Sequence, residues 1–116
     1  MKRLQIILIG AMSVLFQTGI LRAHPPDKIV LEFNAETSIL KVVISHEVKD
    51  RAEHFTKTIE VKLNGDEILK QTFLTQQGLK QQTAVYQIHD AQSGDRLEVT
   101  AHCNIFGKKK ETFQIP

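Results

Sequence analysis

A single cysteine, Cys103, is the whole thiol inventory of this chain; there is no tryptophan, one tyrosine, and the three prolines sit at Pro25, Pro26 and Pro116. One cysteine cannot close a disulfide within its own chain, so the cross-links that often stabilise small exported domains are excluded and stability must come from packing. No apolar run reaches the ~20 residues that a membrane-spanning helix needs. The longest, from Leu4 to Phe16, is interrupted by Gln5, Gly10 and Ser13. No strong excess of one charge exists either, with 15 basic and 13 acidic side chains among 116 residues.

What is present begins with an address. Lys2 and Arg3 precede the apolar run, and the short mixed stretch "QTGILRA" follows it. This is the layout of a secretory signal peptide over residues 1–23, with cleavage expected after Ala23, although Leu21 is a poor match for the small residue preferred two positions earlier. An uncleaved anchor is the alternative, and the interrupted core is short for it. Removing residues 1–23 takes away Lys2, Arg3 and Arg22 and no acid, which leaves 93 residues with 12 basic and 13 acidic groups, a formal charge of −1. A nearly neutral chain of that size makes one domain and gives no reason to expect a nucleic-acid partner or, after cleavage, a membrane one. The implied localisation is secreted or periplasmic.

From Lys28 onward the apolar pattern has period two. Ile29, Leu31 and Phe33 alternate in "KIVLEFN", and Leu40, Val42 and Ile44 in "SILKVVISH". The segment "FTKTIEVKLNGDEILKQTF" places two strand-like runs about Asn64-Gly65, the dipeptide that supplies positive φ at both centres of a type I′ hairpin turn. "TQQGLKQQ" reads as a polar loop, and "TAVYQIH" as a strand with Ala84, Tyr86 and Ile88 on one face. "RLEVTAHC" puts Leu97, Val99, Ala101 and Cys103 on one side and Arg96, Glu98, Thr100 and His102 on the other. "ETFQI" closes the chain. Seven strands, no sustained helical repeat and regularly spaced turns predict an all-β fold, an immunoglobulin-like antiparallel sandwich.

The five histidines differ in placement. His46 continues the apolar face of Leu40, Val42 and Ile44 beyond the strand, His54 stands at the far mouth of the connection "EVKDRAE", and His24 opens "HPP", where two prolines keep the chain extended. Cys103 ends a strand on its apolar side. Taken singly each is an ordinary strand-end residue, and a cysteine there is most simply a small buried hydrophobe. Together, three imidazoles and one thiol without a disulfide partner have the composition of a mixed nitrogen and sulfur metal site, suited to iron, copper, zinc or nickel. His89 and His102 read as solvent-exposed.

"HPP", the His46 and His54 pair, "HFTKTIEV" and "SGDRLEVTAHCNIFG" together make the chain resemble the iron-binding domain of desulfoferrodoxin and superoxide reductase over nearly all of residues 24–116, with "CNIFG" the most specific element. The resemblance implies a seven-stranded immunoglobulin-like sandwich. It also implies a ferrous centre with equatorial histidines and an axial cysteine thiolate, and one-electron reduction of superoxide to hydrogen peroxide. The carried-over ligands are His24, His46, His54 and Cys103. Phe106 stands where the family's fourth histidine would be, the loop between the paired histidines is two residues longer, and Arg22 and Ala23 replace a glutamate and a lysine.

The partners implied are superoxide or another small anion and an external electron donor. Lys108, Lys109 and Lys110 follow the cysteine loop and could draw an anion in, with Lys108 nearest to Cys103 in sequence; the alternative is that they simply guard an edge strand against aggregation. Cleavage after Ala23 would free the His24 amine, a second nitrogen beside its imidazole that could replace the donor lost at Phe106 and favour copper. Two rival functions stand beside superoxide reduction: a non-catalytic carrier for copper or iron, and an immunoglobulin-like interaction module without metal.

Overall fold

Asn64 and Gly65 both have positive φ, 51° and 92°, as the type I′ turn requires, and the strands that flank them form the hairpin read from the sequence. The computed structural model of the protein describes residues 24–116, so the leader expected over 1–23 lies outside the described residues. The described elements are β1 (Lys28–Asn34), β2 (Ile39–Ser45), β3 (Thr56–Leu63), β4 (Asp66–Thr72), β5 (Gln81–Gln87), β6 (Arg96–Cys103) and β7 (Lys108–Gln114). They form two antiparallel sheets, one of order β1-β2-β5 and one of order β4-β3-β6-β7. The fold is all-β, a two-sheet sandwich. Among the described residues no helix is long and apolar enough to cross a membrane.

Alternation decides which side of each strand is buried. Leu40, Val42 and Ile44 of β2 have no exposed surface, nor do Ile59 and Val61 of β3 or Leu97, Val99 and Ala101 of β6. These residues meet between the sheets, and each large aliphatic side chain so removed from water contributes about 1.5–3 kcal/mol. Tyr86 of β5 extends the packing outward, and its hydroxyl donates to Gln71 Oε1 of β4 at 2.6 Å, joining the two sheets.

Three local features carry the frame to the end where the histidines lie. A register shift between Thr56 and Thr58 places Thr56 opposite Cys103 and Thr58 opposite His102, an irregularity of the kind that re-aims side chains at strand ends. The segment after β2 is zipped to the loop before β5, because His46 N donates to Lys80 O at 2.9 Å and Val48 N to Leu79 O at 2.7 Å. Before β1, Asp27 N donates to Ser45 O at 2.8 Å, which lays the His24-Pro25-Pro26 strap alongside the end of β2. The last strand starts at Lys108 rather than at Glu111, so the lysine triplet belongs to β7 itself. Lys110 Nζ lies 3.7 Å from Glu98 across the sheet.

Candidate metal centre

His46 is the best-anchored of the candidate residues. It has no exposed surface, and its Nδ1 lies 2.9 Å from Gln76 Oε1 and 3.0 Å from Thr56 Oγ1. Gln76, equally buried, turns Nε2 to His46 O at 2.7 Å and Gly78 O at 2.9 Å, while its Oε1 accepts from Thr56 N at 3.0 Å. Carbonyl oxygens only accept and a main-chain N–H only donates, so the amide cannot be turned the other way. Nδ1 of His46 therefore carries a proton and the neutral ring keeps its lone pair at Nε2. Burial pushes the His46 pKa below 6.5, with the charges of His54 and His24 acting in the same direction and the Gln76 and His24 carbonyl contacts against it. A buried neutral imidazole with a fixed tautomer is what a metal requires of a histidine ligand.

The other two imidazoles come from different elements. His54 follows a turn in which Asp50 O accepts from Glu53 N at 3.2 Å and from His54 N at 2.9 Å. Asn104 clamps that segment to the cysteine loop: its Oδ1 accepts from Phe55 N at 2.8 Å and its Nδ2 donates to Glu53 O at 3.0 Å. His24 comes from the strap, with Nδ1 2.9 Å from Pro25 O and Nε2 2.9 Å from Glu47 O. The three rings meet edge to face, with centroids 5.4 Å apart for His24 and His46, 5.1 Å for His24 and His54, and 4.8 Å for His46 and His54. One ligand atom from each lies within 4.8 Å of the other two. Bonds of about 2.0–2.1 Å hold two nitrogens on one ion no more than about 4.2 Å apart, so an ion bound here would draw the imidazoles slightly together. The three histidines could bind a metal.

The Cys103 sulfur is not part of that three-residue cluster. Cys103 ends β6 opposite Thr56, whose hydroxyl touches His46. The sulfur accepts the Ile105 amide at 3.4 Å, and the main chain is closed by Cys103 N donating to Gly107 O at 3.0 Å.

A cavity of about 640 Å³ opens beside the cluster, with His24 and His54 in its wall and Val48 and Ile105 as its apolar part. Its charged lining is mostly acidic: Asp27, Glu47, Asp50 and Glu53 against one lysine, Lys49. Lys108 does not line it; that residue pairs with His102 across β6 and β7. His89 is exposed as expected and lies 3.2 Å from Asp90. His102 differs from expectation: it is half-buried, with Nε2 3.0 Å from Glu60 Oε1, and that contact holds the Glu60 carboxyl below its usual range. Phe106 is exposed at 64% and supplies no donor.

Gln76 is the site residue that sequence reasoning missed. It lies in a stretch of glutamines and threonines that scans as solvated loop, and no periodicity marks it as buried.

No protein-family model matches the chain, and no curated protein does. Among solved structures the chain is similar to superoxide reductase (1Fe-SOR) from Giardia intestinalis, with a TM-score of 0.61 and 14% identity over 79% of this chain and 100% of that one. The fold is thus superoxide reductase-like, and at this identity the likeness extends to the fold alone.

Proposed function

We propose that this chain is an exported mononuclear iron protein that reduces superoxide, with His24, His46, His54 and the Cys103 thiolate as ligands. The observation that carries the reading is the meeting of three imidazoles from three separated segments at one end of a superoxide reductase-like sandwich. When bound, iron would supply one electron to superoxide, which leaves with two protons as hydrogen peroxide, and an external donor would restore the electron. The residues contribute placement. Gln76 fixes the His46 tautomer, Asn104 ties the His54 segment to the cysteine loop, and the Ile105 amide donates to the Cys103 sulfur and orients it. The cavity beside His24 and His54 gives a small anion access. Lys108 and its neighbours act at longer range, by raising the local anion concentration.

A second reading, a non-catalytic carrier of iron or copper, is favoured by the acidic lining. Four carboxylates beside the cluster attract a hydrated cation and repel superoxide, and Phe106 supplies no fourth imidazole. Elemental analysis of the purified protein followed by a superoxide consumption assay separates the two. Iron with turnover supports the reductase, metal without turnover supports the carrier, and no metal in either the wild type or a His46→Ala, Cys103→Ser double variant rejects both. Mass spectrometry of the exported protein tests the cleavage after Ala23.

A further inference from the structure

We propose that the main-chain carbonyl oxygen of His24 is itself a metal donor, sharing one ion with His46 Nε2 and His54 Nε2. The inference rests on the metal-binding reading above and adds an oxygen ligand to it. His24 O lies 3.3 Å from His46 Nε2 and 3.4 Å from His54 Nε2. With the proton of His46 fixed at Nδ1 by Gln76, the 3.3 Å contact brings a nitrogen lone pair against an oxygen lone pair with no hydrogen between them. Two acceptors this close, one of them on a fully buried ring, cost free energy unless something positive lies between. A metal ion answers that need. Bonds of about 2.0–2.2 Å place two donors on one ion about 3.0 Å apart at a right angle and about 3.4 Å apart at a tetrahedral angle. The two contacts fall within that interval.

The oxygen is also held in place before any ion arrives. Pro25 and Pro26 restrict the strap to extended conformations, and Asp27 registers it on Ser45. Gly107, at φ 82°, packs so closely that a Cβ added there would stand 2.7 Å from the Pro25 Cβ. Meanwhile both ring nitrogens of His24 lie 2.9 Å from other carbonyls, and its own carbonyl, like its ring, is turned toward the other two imidazoles. An oxygen donor in place of a fourth imidazole would harden the site and weaken any preference for soft ions.

His24-Pro25 is the only His-Pro pair in the chain, so protein labelled with [1-13C]histidine and [15N]proline shows this one carbonyl as a 13C signal split by nitrogen. On titration with zinc(II) the expected result is that this signal shifts more than those of the other four histidine carbonyls. An isotope-edited infrared spectrum should show its stretch falling. Movement of the His46 and His54 ring resonances with this carbonyl unmoved overturns the oxygen donor and leaves the imidazole site standing; no movement of any ring resonance overturns both. The His24→Ala variant, labelled with [1-13C]alanine, removes the ring but keeps the carbonyl. A persisting shift there, with zinc bound 10–100-fold more weakly, supports coordination by oxygen; its loss while zinc still binds His46 and His54 assigns the wild-type shift to the ring and overturns the proposal.

Discussion

Gln76 Oε1 and His46 Nδ1 lie 2.9 Å apart, both fully buried, although 30 residues separate them in the sequence. This contact selects the tautomer that leaves Nε2 free for metal. A Gln76→Leu variant keeps similar bulk but leaves His46 Nδ1 with only the Thr56 hydroxyl, and strands Thr56 N and His46 O without their amide partner. Zinc affinity is expected to fall 10–100-fold. Stability should fall by about 1–3 kcal/mol in urea unfolding. Long-range 1H–15N spectra of the His46 ring would show both tautomers in the variant and one in the wild type.

Stability of the protein without metal should depend on pH through His46. Its folded pKa lies below the ordinary 6.5 because burial disfavours the charged ring. Below pH 6.5 the unfolded chain takes up a proton there that the folded chain does not, so the unfolded state gains. The contribution is complete above that pH and is lost as pH falls through the folded value. Urea midpoints at pH 7.5 and pH 5.0 should therefore differ, with the lower midpoint in acid. A His46→Gln variant should show a smaller difference.

The strap that presents His24 is seated on Gly107. A Gly107→Ala substitution meets two obstacles, a positive φ of 82° and a Cβ that would stand 2.7 Å from Pro25 Cβ. The backbone term alone costs about 1–2 kcal/mol. Because the clash pushes on Pro25, the displacement passes to His24, one residue away. Zinc affinity is expected to fall together with stability. By contrast, Gly65→Ala, also at positive φ but with open space around it, should lower stability without changing affinity.

The sandwich was legible because alternation is a local signal: Leu97, Val99, Ala101 and Cys103 announce a buried face whatever lies opposite them. Asn64-Gly65 announced its hairpin for the same reason. The last strand reads from Glu111 in the sequence but begins at Lys108, because an edge strand tolerates the full exposure of three lysines. His46 and His54 could be suspected from their places at strand ends, and His24 from the prolines behind it. Gln76 could not, because its burial arises from the docking of two loops. The His24 carbonyl is invisible for a deeper reason. Every residue has one, and only the fold can show which is turned toward two imidazoles.

Cys103 remains the residue on which the iron reading is most exposed to test. Its sulfur lies outside the three-histidine cluster, yet it receives the Ile105 amide at 3.4 Å and stands at the end of β6, across from Thr56. A Cys103→Ser substitution alters little of the packing, because the side chain is small and lies at a strand end, so the expected change in stability is within about 1 kcal/mol. If the thiolate binds iron, the oxidised wild-type protein shows a sulfur-to-iron charge-transfer band in the visible spectrum, and the variant loses that band while its histidines still hold metal more weakly. If the sulfur is only a buried neighbour, wild type and variant have the same spectrum and the same metal content. In that case the imidazoles and the His24 carbonyl would form the site alone, and the likeness to superoxide reductase would end at the fold.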